Sequence, residues 1–335
     1  MKISTKIKKL QLLHPFKIAR RTTDSYREVI TVEIDGGIGE TSPAKFYGET
    51  VQTVEKVINE LSGSLDVDLD AIQDVMSKIE QDLPDNYAAK SVIDMALHDR
   101  FGKKMGAPLY KLWGLNPKKT PNTSYTIGLD EPNIMVEKVY AAEEYPILKV
   151  KLGNQDDFDI LTNIRRITNK PIYVDVNTAW SPQEAVEKIK KLSDFGVELV
   201  EQPTTAEDID GLKYIRDNSK LPIIADESVK RAEDIPKIAD AVDGINIKLV
   251  KCGGLLEAIR MIHVARVHGL LVMIGCMIES SIGITAAAHL TPLVDYADLD
   301  GNLLIKNDPY KGVTLQNGKL ILPNCPGIGV APVDV

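Results

Sequence analysis

Short runs rich in β-branched residues recur along the chain from about residue 120, and each run ends in a polar residue. Examples are "ILKVKLG", "IYVDVN", "ELVEQP", "PIIADES" and "GINIKL", and the polar residues that end successive runs are separated by 22 to 27 residues. Amphipathic segments such as "SPQEAVEKIKKLSDFG" lie between them, with Ser181-Pro182 as a helix start and Gly196 as a stop. Each period therefore predicts one strand followed by one helix.

Eight units of this kind form a parallel (β/α)₈-type barrel, which we predict over residues 119–302. The main alternative is a doubly wound open sheet. That fold normally carries a Gly-rich first turn, and the sequence shows none. The pattern therefore favours the barrel.

The chain on either side of the predicted barrel has a different pattern. Residues 1–118 predict a separate α+β domain, because strand candidates near "KLQLLHPFKI" and "EVITVEID" precede helical stretches near "ETVQTVEKVINELSG" and "NYAAKSVIDMALHDRFGKKMG". Residues 303–335 are rich in Gly and Pro and contain strand candidates such as "GVTLQNGKLILP". We therefore expect three segments.

The composition indicates a cytoplasmic protein that binds neither nucleic acid nor membranes. The net charge of −8 over 335 residues, with Lys and Arg spread along the chain, argues against a nucleic-acid surface. Cys252, Cys276 and Cys325 form no disulfide framework and no C-x-x-C pair. The start "MKISTKIKKL" lacks the apolar core of a signal peptide, and no apolar run approaches the ~18 residues that span a bilayer.

Barrel strands present their carboxyl-terminal residues at the face where active sites are built. Side chains alternate along a strand, so Lys149 and Lys151 share one face of "ILKVKLG" while the apolar residues beside them face the helices. The same reading places the following residues at strand ends: Asp175, Asn177, Glu201, Asp226, Ser228, Asn246, Lys248, Asp298 and Asp300. The strand ends therefore predict a polar ring at the barrel mouth.

Three carboxylates in this ring predict a metal site. Asp175, Glu201 and Asp226 come from successive strands and would repel each other without a cation among them. Oxygen ligands without His or Cys nearby select Mg²⁺. Glu227, next to Asp226, is expected to point the other way and to have a supporting or structural role.

Two lysines predict acid/base chemistry. Lys151 and Lys248 belong to the second and sixth repeats, which places them across the barrel from each other. A lysine on each side of a substrate carbon can remove a proton from one face and return one to the other, as in racemisation or epimerisation. Lys149 and the metal would lower the pKa of Lys151, because a nearby cation disfavours the ammonium form, and Lys149 would bind an anionic oxygen.

The ordered set "KVK", "DVN", "VEQP", "ADES", "NIKL" and "GCMIES" resembles the muconate-lactonising subgroup of the enolase superfamily, and most closely its dipeptide epimerases. That superfamily is itself a known example of a Lys or His base working with Mg²⁺. The resemblance implies a capping domain, a modified (β/α)₇β barrel and a C-terminal segment that returns to the cap. It also implies Mg²⁺ ligands at Asp175, Glu201 and Asp226, and acid/base catalysts at Lys151 and Lys248.

The resemblance further implies the residues that contact substrate. "DLD" matches an eighth-strand D-x-D motif, so Asp298 and Asp300 are expected to hold the α-ammonium of a dipeptide. "PFKIARRT" matches a capping loop whose Arg meets a glutamate side chain, and Arg21 is the match, with Arg20 beside it. Other expected contacts are Lys149, Thr126, Cys276 through its backbone, and Tyr47 in the second capping loop, "SPAKFYGET".

The resemblance predicts an isomerase that epimerises the C-terminal residue of an L,L-dipeptide, of Ala-Glu type where Arg21 acts as selector. The alternatives within the subgroup are an N-acylamino-acid racemase, a succinylbenzoate synthase and a cycloisomerase, and Asp298 and Asp300 argue against them because their substrates lack a free ammonium. From another class, a metal-free Schiff-base lyase would be trapped by borohydride and indifferent to chelators. A homo-oligomer is compatible with the family, and the sequence specifies no interface.

Overall fold

The computed structural model describes residues 3–19, 21–22, 25–61 and 68–333. A capping domain is followed by an eight-stranded parallel barrel and then by a C-terminal segment with short strands. Within the described ranges, none of the helices combines the length and the apolarity that crossing a membrane requires.

The capping domain contains an antiparallel sheet in the strand order β1-β4-β5. The strands are β1 (Ile3–Gln11), β2 (Lys17–Ile18), β3 (Arg21–Thr22), β4 (Tyr26–Ile34) and β5 (Gly37–Thr41). Its helices are α1 (Val51–Leu61), α2 (Ile72–Asp82), α3 (Tyr87–Met105) and α4 (Leu109–Leu112). Helix α3 packs closely on β5, since a Cβ atom at Gly39 would lie 2.2 Å from the carbonyl oxygen of Val92. The strands and helices expected in this region are therefore confirmed.

The barrel strands follow one another around the sheet in sequence order. They are β6 (Ser124–Ile127), β7 (Ile147–Lys151), β8 (Ile172–Asp175), β9 (Val197–Glu201), β10 (Ile223–Ala225), β11 (Gly244–Ile247), β12 (Leu271–Gly275) and β13 (Tyr296–Asp298). The helices between them are α5 (Pro132–Ala141), α6 (Asp157–Arg165), α7 (Pro182–Leu192), α8 (Ile209–Asn218), α9 (Ile235–Ile238), α10 (Leu249–Cys252), α11 (Leu255–Val267) and α12 (Ser281–Ala288).

The last and first barrel strands meet through a parallel bridge between Thr123 and Ala297. Two side-chain bonds strengthen this seam, because Ser124 Oγ donates to Asp298 Oδ1 at 2.7 Å and the Thr126 amide donates to Asp300 at 2.5 Å. Strand β13 leads into a short 3₁₀ helix, Gly301–Leu304, and not into an eighth α-helix. The predicted (β/α)₇β barrel with an α+β cap is confirmed.

Helix α7 shows how local sequence sets an element. Ser181 is its N-cap, and Ser181 and Glu184 form a reciprocal capping box that satisfies amides of the first turn. After Leu192 the chain continues as a 3₁₀ helix to Phe195 and stops at Gly196, where φ is 61°. Glycine adopts this left-handed conformation without the steric cost that a Cβ atom imposes. The predicted start and stop signals are both confirmed.

The barrel interior changes from apolar to polar along its axis. Tyr173, Leu199, Ile224 and Met273 point inward and form a buried cluster. On strand β8, Asp175 follows Tyr173 on the same face, two residues nearer the carboxyl end. The apolar cluster therefore forms a floor that closes the barrel beneath the polar residues of the mouth.

The C-terminal segment contains β14 (Tyr310–Lys311), β15 (Thr314–Gln316), β16 (Lys319–Ile321) and β17 (Ala331–Pro332). Strands β15 and β16 lie in "GVTLQNGKLILP", where strands were expected, and pair antiparallel. The segment also reaches the cap: the Lys306 amide donates to the Gln11 carbonyl at 2.8 Å, and the Ile328 amide donates to Asp99 Oδ1 at 2.8 Å. These bonds connect the end of the chain to β1 and α3.

Buried carboxylates of the cap accept hydrogen bonds at the start of barrel helices. Asp94 of α3 accepts from the Leu255 amide at 2.5 Å, at the start of α11. Glu40 of β5 accepts from the amide and the hydroxyl of Ser280, the N-cap of α12, at 2.7 and 2.6 Å. Anionic groups at these positions satisfy amides that have no partner within the helix. The same bonds hold the cap against the barrel mouth.

We expect Glu40 to make the protein less stable as the pH rises from about 5 to about 8. Burial, opposed by the hydrogen bonds from Ser280, raises the pKa of Glu40 to about 7, so the folded protein holds a proton that the unfolded chain releases. The stabilisation is complete below the unfolded pKa and is lost as the pH passes the folded pKa, at about 1.4 kcal/mol per unit of difference. Urea unfolding across this range should show a flatter pH dependence for Glu40→Gln.

Glu33→Gln is the matched control for this prediction. Glu33 is exposed on β4, next to β5. Its replacement removes the same charge without changing the buried contacts between Glu40 and Ser280. If both variants change the pH dependence of the unfolding free energy equally, Glu40 does not have the proposed effect.

Candidate active site

Strand β7 directs two lysines into the barrel. Lys149 and Lys151 are 1% and 7% exposed. Leu148, which precedes Lys149, and Val150, which lies between the two lysines, pack in the core on the helix side. The alternation predicted for "ILKVKLG" is therefore confirmed. It brings two ammonium groups into a largely buried space, where each needs a charged or hydrogen-bonded partner.

Three carboxylates meet these lysines from neighbouring strands. Asp175 ends β8, Glu201 ends β9 and Asp226 directly follows β10, and all three are buried. The parallel register aligns Lys151 with Asp175, and Asp175 with Glu201, so these strand ends lie side by side. The structure therefore places the residues predicted as metal ligands at neighbouring strand ends.

Lys151 and Lys248 each bind one of these aspartates. Lys151 Nζ lies 2.5 Å from Asp175 Oδ2, and Lys248 Nζ lies 2.7 Å from Asp226 Oδ2. Lys151 ends β7 and Lys248 directly follows β11, and these strands are four apart in an eight-stranded barrel. The two ammonium groups therefore approach from opposite sides of the mouth.

Lys149 lies among three carboxylates of the protein itself. Its Nζ is 2.6 Å from Asp298 Oδ2, 2.7 Å from Glu201 Oε2 and 3.1 Å from Asp175 Oδ2. Burial opposes the charged form, but these carboxylates outweigh burial and hold the pKa of Lys149 well above its usual range. The predicted contact of Lys149 with an anionic oxygen of the substrate stays a prediction. The expectation that Lys149 lowers the pKa of Lys151 stays a prediction.

The charges in this layer shift the pKa values in both directions. Burial opposes ionisation of Asp175 and Asp226, but their lysine partners outweigh it and hold the pKa of each aspartate well below its usual range. Burial, reinforced by the charge of Asp175, raises the pKa of Glu201 to about 7. Lys248 is the reverse case: burial lowers its pKa, but Asp226 and Glu201 outweigh it and keep the pKa well above its usual value.

The carboxylate layer has the chemistry of a divalent-cation site. Oε2 of Glu201 is buried and lies 2.7 Å from Lys149 Nζ without hydrogen-bond geometry. Together with Asp175 and Asp226 it offers hard oxygen donors without His or Cys, the donor set suited to Mg²⁺. Over the described part of the chain, no three His, Cys, Asp or Glu side chains lie close enough together to share an ion. The three residues fit Mg²⁺ by charge and donor type, and their role as ligands stays a prediction.

The acidic pair at the eighth strand lies beside this layer. Asp298 accepts from Ser124 and Lys149; burial opposes its ionisation, but Lys149 outweighs it and lowers its pKa. Asp300 accepts from the Thr126 amide, and burial, followed by the charge of Asp298, raises its pKa to about 6. Within the pair, the Lys149 ammonium donates to Asp298, and the two acids together favour a further cation.

The three lysines, Asp226 and the acidic pair line one cavity of about 580 Å³ between the barrel mouth and the cap, while Asp175 and Glu201 are not among its lining residues. The cap contributes Phe16, Ile18, Arg27 and the stretch Ala44–Tyr47, which includes the short 3₁₀ helix Lys45–Tyr47. The barrel contributes Thr126, Lys149, Lys151, Asn177, Asp226, Glu227, Lys248, Cys276, Asp298 and Asp300. A cavity of this size accommodates a small organic molecule. Thr126, Cys276 and Tyr47 also line it, and their contacts with substrate stay predictions.

Three sequence expectations have other outcomes. Glu227 was expected to point away from Asp226, but it lines the cavity, because β10 ends at Ala225 and strand alternation does not extend into the turn. Arg20 lies outside the described residues. Arg21 is described only as backbone, in β3, so its predicted contact with substrate stays a prediction.

Two residues near the site were not predicted from the sequence. Arg27 of β4 lines the cavity and donates to the Ser42 hydroxyl at 2.9 Å and the Pro43 carbonyl at 2.7 Å, beside the second capping loop. Lys251 is buried and contacts Asp226. The available signal for Lys251 was its spacing, since it follows Lys248 by one turn in "KLVK". Nothing in the strand pattern of "YREVITVEI" distinguishes Arg27 from a solvated residue.

Comparison with known proteins gives matches over nearly the whole chain. Residues 2–114 match the family model described as "Mandelate racemase / muconate lactonizing enzyme, N-terminal domain", and residues 134–334 match "Enolase C-terminal domain-like". The chain is 42% identical over 329 residues to the L-Ala-D/L-Glu epimerase of Bacteroides thetaiotaomicron, covering 97% of this chain and 86% of that protein.

Two solved structures are similar in fold and sequence. One is the dipeptide epimerase from Enterococcus faecalis V583, complexed with Mg and the dipeptide L-Leu-L-Tyr, with a TM-score of 0.91, 34% identity and 98% coverage of both chains. The other is a substrate-liganded complex of the L-Ala-D/L-Glu epimerase from Bacillus subtilis, with a TM-score of 0.93 and 31% identity, covering 100% of this chain and 99% of that chain.

Proposed function

The chain belongs to the enolase superfamily, in the group of mandelate racemase and muconate-lactonising enzymes, and on this premise we propose that it is a Mg²⁺-dependent dipeptide epimerase. It is an isomerase that inverts the α-carbon of the C-terminal residue of an L,L-dipeptide by 1,1-proton transfer. The observation that carries the proposal is the position of Lys151 and Lys248 on opposite sides of one cavity, with carboxylates between them. The names of the similar proteins, which state epimerisation of dipeptides, support it.

The two lysines divide the proton transfer between the faces of the substrate. One lysine, as a neutral amine, takes the proton of the α-carbon and leaves an enediolate; the lysine opposite, as an ammonium, delivers a proton to the other face. Asp175 and Asp226 orient the two Nζ atoms through their bonds of 2.5 and 2.7 Å. Because the lysines exchange roles between the two directions, the reaction runs from either stereoisomer.

Asp175, Glu201 and Asp226 are the residues that would hold Mg²⁺. When bound, Mg²⁺ supplies positive charge that stabilises the negative charge developing on the substrate carboxylate. The apolar floor beneath the site, formed by residues such as Tyr173 and Met273, excludes water from below and strengthens these electrostatic interactions.

Asp298 and Asp300 are the residues that would hold the α-ammonium of the substrate. Both line the cavity, and within the pair Lys149 donates to Asp298. A substrate ammonium would therefore neutralise the carboxylate that remains. This contact favours a dipeptide with a free amino terminus over an N-acyl amino acid. Arg21 is the proposed contact for an acidic side chain at the opposite end.

The function is tested by incubating the protein with Mg²⁺ and a library of L,L-dipeptides in D₂O. Mass spectrometry should show deuterium at the α-carbon of the C-terminal residue of some library members, because the proton returned comes from a lysine in exchange with solvent. Exchange of N-acyl amino acids, with none of any free dipeptide, would favour the racemase instead.

The specificity prediction concerns the two ends of the substrate. Asp300→Asn should slow all free dipeptides by a similar factor, while Arg21→Ala should penalise dipeptides with an acidic C-terminal residue by about 1 to 3 kcal/mol. Asp300 is replaced rather than Asp298 because Asp298 also binds Lys149, so its replacement would change a second contact of the site. Steady-state kcat/KM for Ala-Glu and Ala-Leu, measured for each variant, gives both effects.

Arg20→Ala is the matched control for Arg21→Ala, since it removes the same charge from the adjacent position. For Asp300→Asn, the control is an N-acetylated dipeptide, which lacks the ammonium and should lose no further activity. If Arg21→Ala lowers kcat/KM for acidic and neutral dipeptides by the same factor, Arg21 does not select the side chain.

The proposed location is the cytoplasm. Its support is the cysteine chemistry, since Cys252, Cys276 and Cys325 are all free thiols. Free cysteines without a disulfide framework are typical of a reducing compartment.

A further inference from the structure

Each of the three predicted metal ligands has one carboxylate oxygen bound by a donor other than the three lysines of the cavity. Asp175 Oδ1 accepts from the Asn177 amide at 3.0 Å, Glu201 Oε1 accepts from Asn246 Nδ2 at 2.8 Å, and Asp226 Oδ1 accepts from Lys251 Nζ at 2.5 Å. The second oxygen of each contacts Lys149, Lys151 or Lys248, whose ammonium groups line the cavity. Each carboxylate therefore has one oxygen on a lysine of the cavity; in Asp226 and Glu201 the other, wall-side oxygen is bound by Lys251 or Asn246, which are not among the cavity-lining residues.

Lys251 provides the strongest of these wall-side contacts. It is 2% exposed and does not line the cavity. Its Nζ also donates to the carbonyl oxygens of Asp226, Val229 and Asn246, at 2.6, 3.1 and 3.1 Å. The ammonium thus joins the ends of β10 and β11 and is fixed on several sides. A group held in this way prevents the Asp226 carboxylate from turning its second oxygen toward the cavity.

Asn246 has the same relation to Glu201. It is fully buried in β11 and does not line the cavity, and its amide nitrogen donates to Oε1 of Glu201. Its Oδ1 has no hydrogen-bond partner in the described part of the chain. The side chain therefore fixes the glutamate oxygen that it contacts.

We propose that Lys251 and Asn246 determine the metal preference of the site: by occupying one oxygen of Asp226 and of Glu201, they restrict each carboxylate to a single bond with the metal and so select Mg²⁺ over Ca²⁺. The inference rests on the proposed function, which places Mg²⁺ at these carboxylates. Both are positioning residues, because neither reaches the cavity.

The selection follows from the coordination chemistry of the two ions. Mg²⁺ requires six ligands in near-octahedral geometry and is commonly bound by few carboxylates that each supply one oxygen. Ca²⁺ is larger, takes six to eight oxygens and frequently binds carboxylates through both oxygens. Three carboxylates limited to one oxygen each leave Ca²⁺ short of protein ligands. Mg²⁺ binding is not weakened, because water and substrate oxygens readily complete its coordination.

The test is the ratio of the Ca²⁺ and Mg²⁺ dissociation constants, measured by isothermal titration calorimetry without substrate. The unmutated protein should bind Mg²⁺ at least about tenfold more tightly than Ca²⁺. Lys251→Met and Asn246→Leu, which release the second oxygen of Asp226 and Glu201, should each shift the ratio toward Ca²⁺ by about tenfold. The ratio is the useful quantity because loss of the Lys251 charge affects the two divalent ions alike.

Lys90→Met is the matched control, because Lys90 is a fully buried lysine of the cap whose ammonium binds Glu80 at 2.6 Å and the Pro84 carbonyl at 3.1 Å, and not a predicted metal ligand. It should leave the ratio unchanged. The inference is overturned if the unmutated protein binds Ca²⁺ as tightly as Mg²⁺, a measurement that depends on no variant. It is also overturned if a folded Lys251→Met or Asn246→Leu keeps the original ratio. If either result is found but the unmutated protein still binds Mg²⁺ and epimerises dipeptides, only the inference about metal preference fails. If the unmutated protein binds no Mg²⁺, that inference and the proposed function both fail.

Discussion

Lys151→Ala and Lys248→Ala should each abolish epimerisation while retaining opposite halves of the reaction. A proton removed on one face must be replaced on the other, and the lysines lie on strand ends four positions apart in the barrel. Each variant should therefore still exchange the α-proton of one stereoisomer with D₂O, through the lysine that remains. The two variants should prefer opposite stereoisomers, as measured by mass spectrometry on L,L- and L,D-dipeptides.

Arginine replacements separate catalysis from structure at these positions. Lys151→Arg and Lys248→Arg retain a positive charge beside Asp175 and Asp226, but a guanidinium does not release its proton in proteins. They should also lack epimerisation. If an arginine variant retains near-normal turnover, or if both alanine variants exchange the same isomer, the lysines do not share the proton transfer in this way.

Glu201→Gln should lower turnover by at least about 100-fold, because a neutral amide removes one of the anionic groups proposed to hold Mg²⁺. Among the three ligands it is the most informative. Asp175→Asn and Asp226→Asn should be similarly inactive, but each also leaves a buried lysine without its partner, at about 3 to 5 kcal/mol of stability. Lys149, the ion-pair partner of Glu201, keeps Asp298 and Asp175 as partners, so Gln is a milder change there.

The thermal midpoint measured with and without Mg²⁺ separates metal binding from the chemical step. Mg²⁺ should raise the midpoint of the unmutated protein, because a ligand that binds the folded state stabilises it, and should not raise that of Glu201→Gln. Glu198→Gln is the matched control, since Glu198 is exposed on the same strand, β9. Full activity of the unmutated protein in a chelator would refute the metal requirement.

The barrel was predictable because its pattern is local and repeated. Each strand needs only a short apolar run, and each helix needs signals such as the Ser181 cap and the Gly196 stop, which lie within one turn of the helix ends. The inward direction of Lys149 and Lys151 follows from the two-residue period of a strand. Glu227 marks the limit of this reasoning, because it lies one residue beyond Asp226 in a turn where the period no longer applies.

The partners of the site residues were not predictable by the same reasoning. Lys149 binds Asp298 across 149 positions of sequence, because barrel closure brings the second strand near the eighth. The sequence assigned Asp298 to a substrate ammonium, and the fold adds Lys149 as a partner. Arg27 is a similar case, since only the packing of the cap over the mouth brings it to the cavity wall.

The sequence by itself determined which residues stand at the carboxyl ends of the strands, since strand period and repeat length are properties of neighbouring residues. It thereby specified the two lysines, the three carboxylates and the acidic pair. Only the tertiary structure decided how the oxygens of Asp226 and Glu201 are divided between the wall and the cavity. That division depends on contacts such as those of Lys251 with Asp226 and of Asn246 with Glu201, 25 and 45 residues apart. Hydrogen bonds of this kind require positions correct to a fraction of an ångström, which are set when the whole barrel packs and not by any local pattern.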